Sequence, residues 1–328
     1  MSGPERGGGR SSGFAETGAD ADAAPVGLDE ELGFERLRVD ERDDRLVATL
    51  DHAPTRNAID QRMVDELHAV CAHLEEHPKI LVLRGANGLF ASGADIGQLR
   101  ERRRDDALRG INSTIFDRVA RLPMPVIAAL EGYALGGGAE LAYAADLRIA
   151  TPDVRIGNPE TGLGIMAAAG ATWRLRELVG EPLAKEILLA GRQLGADEAL
   201  ACRLISEVHE PAELLAAAHA LADRIAAQDP LAVRLTKAVF HLPREAHPVV
   251  DTIAQATLFE SEAKFARMGA FLERRERRRA AKATATPSIS ASHSAESAAR
   301  PDAGGDAAAG AQADADGRPP GSRGAPSS

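Results

Sequence analysis

The chain of 328 residues carries a formal net charge of −10, and aromatic residues make up only 3% of it. An acidic, aromatic-poor protein lacks the basic surface that nonspecific nucleic-acid binding requires, so no nucleic-acid partner is expected. The two cysteines, Cys71 and Cys202, lack CxxC spacing, and no HExxH pattern is present. Neither a disulfide framework nor a metal site is therefore predicted.

Both ends of the chain are poor in large apolar residues. Residues 1–33 are rich in Gly, Ala, Asp, Ser and Glu, and from Ala281 onwards Ile289 is the only bulky apolar residue. Such segments bury too little apolar surface to offset the entropy of ordering them, so we predict disordered tails at 1–33 and 280–328. No signal peptide or membrane span is recognisable, and we expect a soluble cytoplasmic protein with no membrane association.

Between these tails, strands and helices alternate up to residue 156, and helices dominate from Thr172 to Arg279. This order predicts an α/β core at 34–200 and a helical C-terminal region at 201–279. Strands are predicted at 34–39, 45–50, 80–83, 126–130, 147–150 and 154–156, and helices at 59–77 (with Asp60 as N-cap), 111–122 and 139–145.

The segment from Gly132 to Glu140 is the first candidate site. A buried strand enters, Gly136, Gly137 and Gly138 turn the chain, and a helix follows. Glycines let a ligand approach the backbone closely, and a helix N-terminus exposes free N–H groups to an anionic oxygen. Taken alone, the segment is equally compatible with a tight turn that binds nothing.

Two more segments share this ambiguity. Residues 90–96 follow a buried strand and present backbone N–H groups near Asp95, although an ordinary capped loop would have the same sequence. Glu160 follows Pro159 beyond a short strand, where an exposed loop glutamate is common. The run from Gly162 to Ala167 fits GxGxxA, but Pro159 and Glu160 precede it instead of a buried strand, so we reject a dinucleotide site.

Together these segments resemble the crotonase superfamily, the enoyl-CoA hydratase/isomerase family. The spacing of Glu140 and Glu160 equals that of the family's hydratases. The resemblance runs from about Phe34 to about Arg275. The matching residues are Asn57-Ala58, Phe90–Ile96, Pro125–Ala129, Gly132–Ala142, Asp146, Pro159-Glu160, Thr172, Arg174 and Leu175.

The resemblance implies a crotonase-like spiral of ββα turns with a helical C-terminal trimerisation region, assembled as a homotrimer or dimer of trimers. It implies an acyl-CoA substrate, with coenzyme A as part of that substrate and no separate cofactor. It also implies catalytic residues Glu140 and Glu160, an oxyanion hole at Ala94 and Gly137, and substrate contacts at Ala91, Ser92, Asp95, Ile96 and Gly136.

The implied reaction is hydration of a 2-enoyl-CoA, in which Glu160 exchanges the proton at C2 and Glu140 helps to activate water. The loop at 167–173 departs from the usual hydratase pattern, because Ala168 replaces a glycine that often helps to hold the water and Trp173 replaces a glutamine. Two alternatives stay open: a double-bond isomerase or other crotonase-type CoA lyase, which Glu140 disfavours, and a non-catalytic or RNA-binding member, which the acidic charge disfavours.

Overall fold

The computed structural model describes residue 30 and residues 32–285, with side chains placed as far as Ala281. The predicted tails therefore lie almost wholly outside the described residues. The chain divides into two compact units after Gly269. The predicted boundary at residue 200 lies inside the first unit, and the division into core and helical region remains a prediction.

Nine strands form two sheets within the described residues. The larger sheet has the order β1-β2-β3-β4-β6-β9 and is parallel except for the antiparallel β1–β2 pair, whereas β5, β7 and β8 form the smaller sheet. The strands are β1 (Leu37–Glu41), β2 (Arg45–Leu50), β3 (Ile80–Gly85), β4 (Val126–Leu130), β5 (Tyr133–Leu135), β6 (Leu147–Ala150), β7 (Arg155–Gly157), β8 (Gln193–Leu194) and β9 (Glu207–Val208).

Helices connect these strands and then make up most of residues 171–285. None of the helices within the described residues is long and apolar enough to cross a membrane. The helices are α1 (Gln61–Glu76), α2 (Ile96–Glu101), α3 (Arg104–Arg109), α4 (Ile111–Ala120), α5 (Gly137–Ala144), α6 (Ala171–Val179), α7 (Glu181–Ala190), α8 (Ala196–Ala201), α9 (Pro211–Ala226), α10 (Pro230–Phe240), α11 (Val249–Phe259) and α12 (Glu262–Ala285).

The inner strands of the larger sheet (β2, β3, β4 and β6) are buried on both faces, as parallel strands with helical crossovers require, whereas the edge strand β1 is partly exposed. Successive side chains of a strand point to opposite faces. Leu81 and Leu83 of β3 accordingly join the main core, whereas Ile80 and Val82 join a second core that α9 covers from the other side. The unbroken apolar sequence of β3 thus reflects two buried faces.

The predicted elements agree with the structure where the apolar pattern is long. Strands β2, β4 and β6 have the predicted bounds, and the Asp60 carboxylate accepts the Met63 N–H as the predicted N-cap of α1. The pattern from Thr172 to Arg279 predicted helices, and it missed the strands β8 and β9, because strands of two residues leave no periodic signal. The last helix continues beyond Arg279 to Ala285, through residues with good helix propensity.

Candidate active site

The loop before Ala94 is held by a buried asparagine. Asn57 is 1% exposed, and its Nδ2 lies 3.2, 2.8 and 3.3 Å from the carbonyl oxygens of Ala86, Leu89 and Phe90. Asn57 adopts a left-handed conformation (φ 54°), which asparagine tolerates better than most residues. The amide replaces the hydrogen bonds that regular structure would supply, and so fixes the path of the chain that leads to Ala94.

Ala94 and Gly137 come together at the N-terminus of α5. A Cβ atom built on Gly137 would lie 3.3 Å from the Ala94 nitrogen. Gly136 precedes the helix with φ 51°, a conformation that favours glycine. Within the described residues, neither the Ala94 N–H nor the Gly137 N–H has a backbone acceptor. The predicted pair of free donors is thus adjacent in the fold, and a small anionic oxygen is the kind of ligand such a pair can bind.

Glu140 lies in the first turn of α5, and it is 4% exposed. Its Oε1 accepts hydrogen bonds from the backbone N–H groups of Ala169 (2.7 Å) and Ala171 (3.1 Å). Burial raises the pKa of Glu140 to about 7; the N–H donors oppose this rise, and the charge of Glu160 adds to it. Near neutral pH this carboxyl group can therefore both accept and donate a proton.

Glu160 begins a short 3₁₀ turn after β7 and is 8% exposed. Its Oε1 accepts from the Asn158 side chain at 3.3 Å, whereas its buried Oε2 has no partner within the described residues. Burial raises the pKa of Glu160, against hydrogen bonds from its own backbone N–H and from Asn158. An orphaned carboxyl oxygen carries a free-energy penalty that a bound water or substrate atom would relieve.

Asn158 links Glu160 to a buried tyrosine. The Tyr143 hydroxyl donates to Asn158 Oδ1 at 3.1 Å, so Asn158 must present its NH₂ group to the carboxylate. Tyr143 lies on α5, one turn beyond Glu140, and both Tyr143 and Asn158 are buried. Helix α5 thus positions both carboxyl groups: it carries Glu140 itself, and it holds Glu160 through the hydrogen bonds of Tyr143 and Asn158.

The loop that binds Glu140 is itself held by Arg174. The guanidinium group of Arg174 pairs with Asp117 (Nη2 to Oδ1, 3.2 Å) and lies 3.5 Å from the Ala169 carbonyl oxygen. It also stacks on Trp173, 4.9 Å from the ring centroid. Trp173 is half-exposed. The aromatic ring that departs from the usual hydratase pattern therefore lies beside the residues that orient Glu140.

Of the five predicted substrate contacts, Ala91 and Ser92 already have backbone partners. Ala91 donates its N–H to the Tyr133 carbonyl and accepts from the Leu135 N–H. Ser92 donates its N–H and its hydroxyl to carbonyl oxygens of the turn at 55–56. Both residues brace the loop against its neighbours, and their predicted substrate contacts remain predictions.

The other three lie at the edges of the free N–H pair. The Asp95 carboxylate caps α2 by accepting the Gln98 N–H at 2.7 Å. Ile96 is exposed, with 57% of its surface accessible. A Cβ atom on Gly136 would lie 3.2 Å from Glu160 Oε1. Such a contact is tight enough to displace the Glu160 side chain slightly, and together with the positive φ of Gly136 it favours glycine at this position.

Sequence reasoning assigned no role to Asn158 or Tyr143, although both lie within or next to segments it singled out. Asn158 directly precedes Pro159-Glu160, and Tyr143 follows Glu140 on the same helix. A polar side chain inside an otherwise apolar run is a signal that could have identified Tyr143. Within the described residues, no cluster of three or more metal-binding side chains occurs.

The chain matches the family model described as Enoyl-CoA hydratase/isomerase over residues 46–279. It is 37% identical to a short-chain-enoyl-CoA hydratase of Clostridium acetobutylicum over 66% of this chain and 83% of that protein. It is 31% identical to a crotonyl-CoA hydratase of Syntrophomonas wolfei over 75% of this chain and 98% of that protein.

A solved structure gives the same result. The enoyl-CoA hydratase of Bacillus anthracis superposes with a TM-score of 0.69 at 29% sequence identity, over 73% of this chain and 97% of the other. This agreement confirms the predicted crotonase-like α/β fold. The match of sequence and fold over most of the chain leads to one conclusion: this protein belongs to the enoyl-CoA hydratase/isomerase family.

Proposed function

We propose that the protein is an enoyl-CoA hydratase, which adds water across the 2,3 double bond of an acyl-CoA thioester. The observation that carries this proposal is the presence of two buried carboxyl groups, Glu140 and Glu160, beside the free N–H groups of Ala94 and Gly137. The names of the relatives, a short-chain-enoyl-CoA hydratase and a crotonyl-CoA hydratase, support the same activity and make crotonyl-CoA the first substrate to test.

In this proposal the thioester oxygen binds between the N–H groups of Ala94 and Gly137. Attack of water on C3 moves negative charge onto that oxygen as an enolate forms. Two donors already aimed at this position stabilise the developing charge without reorganisation, and removing one such donor typically costs about 10²–10³ in kcat. The positive end of the α5 dipole lies at Gly137 and adds to the effect.

The two carboxyl groups divide the proton transfers. Glu140, with a pKa of about 7, helps to take a proton from the attacking water, and Glu160 exchanges the proton at C2. The charge of Glu160 adds to the rise in the pKa of Glu140, so the protonation of one carboxyl group depends on that of the other. The unpartnered Oε2 of Glu160 is a suitable acceptor site for the reacting water.

A double-bond isomerase is the alternative within the family. Moving a double bond requires removal and return of one proton, which a single carboxyl group can perform. Here both carboxyl groups are buried, and Glu140 is held by two backbone donors, which a surface residue without a role would not require. We therefore favour the hydratase.

The deciding experiment compares Glu140→Gln and Glu160→Gln with the wild type. Glutamine keeps the size of the side chain and its acceptor oxygen but removes the base. Each change should lower kcat for hydration of crotonyl-CoA by roughly 10² or more, and the double variant should lose far less than the product of the two. Isomerisation of a 3-enoyl-CoA is measured in parallel. Hydration that survives Glu140→Gln would contradict the proposal and favour the isomerase.

Assembly, cofactor use and location belong to the same proposal. We propose a homotrimer or dimer of trimers, supported by large apolar side chains of α10 and α11 that are exposed in the single chain, among them Phe240, Ile253 and Phe259. We propose that the reaction needs no cofactor beyond the coenzyme A of its substrate. A cytoplasmic location remains our expectation from the sequence.

A further inference from the structure

The side chain of Asn112 reaches the place where Ala94 and Gly137 meet. Asn112 lies in the first turn of α4, a helix that packs against α5. Its Nδ2 is 3.7 Å from the position that a Cβ atom on Gly137 would occupy, and the Ala94 nitrogen is 3.3 Å from the same point. Three nitrogen atoms therefore border one small volume: two backbone N–H groups and one side-chain amide.

Arg102 determines which end of the Asn112 amide faces that volume. Its Nη1 donates to Asn112 Oδ1 at 3.0 Å. A guanidinium group has only donors, so it can bind only the carbonyl end of the amide. The NH₂ end is consequently turned towards Gly137, and no acceptor within the described residues contacts it. Asn112 is thus held as a donor, with its acceptor already in use.

Arg102 differs from the other arginines of its segment. Arg100, Arg103 and Arg104 are exposed, whereas Arg102 is half-buried at the C-terminal cap of α2. Within the described residues, Arg102 has no carboxylate partner, and Asn112 Oδ1 is the acceptor for its side chain. A guanidinium group that polarises an amide strengthens the donors at the far end of that amide.

We propose that Asn112 is a third hydrogen-bond donor for the thioester oxygen and that Arg102 is the positioning residue that orients it. This inference rests on the proposed function, since it concerns the same enolate. The Asn112 NH₂ group would bind the oxygen alongside the N–H groups of Ala94 and Gly137. Three donors would then stabilise the negative charge that develops on that oxygen during attack at C3. One of them, the Asn112 amide, is itself hydrogen-bonded to the Arg102 guanidinium group.

The kinetic test uses variants of both residues. Asn112→Leu, which is close in size and lacks a donor, should lower kcat on crotonyl-CoA roughly 10- to 100-fold. Arg102→Met should cause a smaller loss, roughly three- to tenfold, because the amide remains but is free to turn. Arg102→Lys keeps a donor for Oδ1 and should recover most of that loss. Arg104→Met, an exposed arginine of the same segment, is the matched control and should leave kcat unchanged.

A double variant separates positioning from general damage. If Arg102 acts through Asn112, adding Arg102→Met to Asn112→Leu should cost nothing further. Independent, multiplying losses would show that Arg102 does not orient the amide. If Asn112→Leu lowers the thermal midpoint strongly, Asn112→Asp replaces it: that side chain has the same size and still binds Arg102, but it has no donor. Wild-type kcat in either variant would overturn the inference.

A ligand that cannot react distinguishes this inference from the proposed function. Butyryl-CoA, labelled isotopically at the carbonyl carbon, has no double bond to hydrate, and its infrared carbonyl band reports hydrogen bonding to the thioester oxygen. The band should lie at higher frequency in Asn112→Leu than in the wild type. If the wild type hydrates crotonyl-CoA and the band has the same frequency in Asn112→Leu as in the wild type, the assignment of Asn112 as a third donor is wrong and the hydratase proposal stands. If the band shifts in Asn112→Leu but the wild type does not hydrate crotonyl-CoA, Asn112 does donate to the thioester oxygen and the hydratase proposal is wrong.

Discussion

Replacing Asn158 by leucine would test how the protein sets the proton affinity of Glu160. Leucine has nearly the same size but no amide, so Glu160 Oε1 would lose its side-chain donor and Tyr143 would lose its acceptor. A hydrogen bond to an ionised carboxylate favours the ionised form. Removing that hydrogen bond must therefore move the pKa of Glu160 further upward, in the direction in which burial already shifts it.

The magnitude follows from the geometry. A hydrogen bond to a charged group is worth about 1.5–3 kcal/mol, and a bond of 3.3 Å belongs at the low end of that range. Since one pKa unit corresponds to about 1.4 kcal/mol, the upward shift should be roughly one unit. The Tyr143 hydroxyl would be left buried without an acceptor, at a cost to the free energy of unfolding of about 1–3 kcal/mol.

The assay is kcat/KM for crotonyl-CoA as a function of pH, which reports the apparent pKa values of the free enzyme. Whichever limb of the profile reports Glu160 should move to higher pH in Asn158→Leu. Tyr143→Phe is the matched control, because Asn158 Nδ2 still donates to the Gly136 carbonyl oxygen (3.4 Å), which keeps the amide oriented beside Glu160, and both limbs should stay in place. Combining the two changes should restore part of the stability while the limb stays shifted. A profile that superposes on the wild type would refute the reasoning about Asn158.

Three further predictions concern the fold and the assembly. Glu140→Ala should lower the free energy of unfolding by about 2–4 kcal/mol, because two buried N–H groups lose their acceptor, whereas Glu140→Gln keeps an acceptor oxygen and should leave denaturant unfolding nearly unchanged. Deleting residues 1–30 and 285–328, which are poor in large apolar side chains, should alter neither activity nor the thermal midpoint; a drop of many degrees would contradict this. Light scattering at micromolar concentration should give the mass of a trimer or hexamer, and a monomer mass would exclude the proposed assembly.

The sequence predicted those parts of the site that lie in single continuous segments. Glycines before a helix pointed to free N–H groups at Gly137, and the structure places Ala94 beside them. The spacing of Glu140 and Glu160 drew attention to both carboxyl groups, and the structure buries both within electrostatic reach of each other. Long apolar runs likewise predicted the central strands, because their pattern extends over several residues.

Residues that act through contacts distant in sequence were not predictable in this way. Asn158 and Tyr143 pair across 15 positions, and Arg174 reaches Asp117 across 57. Neither pair has a local pattern, since each depends on how two elements pack. Asn112 is the extreme case. Its proposed role depends on the hydrogen bond from Arg102, which has only donors, and on the helix packing that brings Asn112 to Gly137.

The two backbone hydrogen bonds to Glu140 have a consequence for how such an enzyme can change over evolutionary time. Ala171 is the first residue of α6, and the N-cap residue of this helix supplies no side-chain hydrogen bond. The Glu140 carboxylate therefore also caps the N-terminus of α6. A mutation that replaces Glu140 by a residue without an acceptor oxygen therefore destabilises the start of α6 in the same step. Loss of this acid is therefore limited to substitutions that keep an acceptor oxygen, such as Glu140→Gln, unless the loop at 167–171 first acquires another acceptor. Glu140 is therefore retained for the stability of the fold as well as for its proposed part in the reaction.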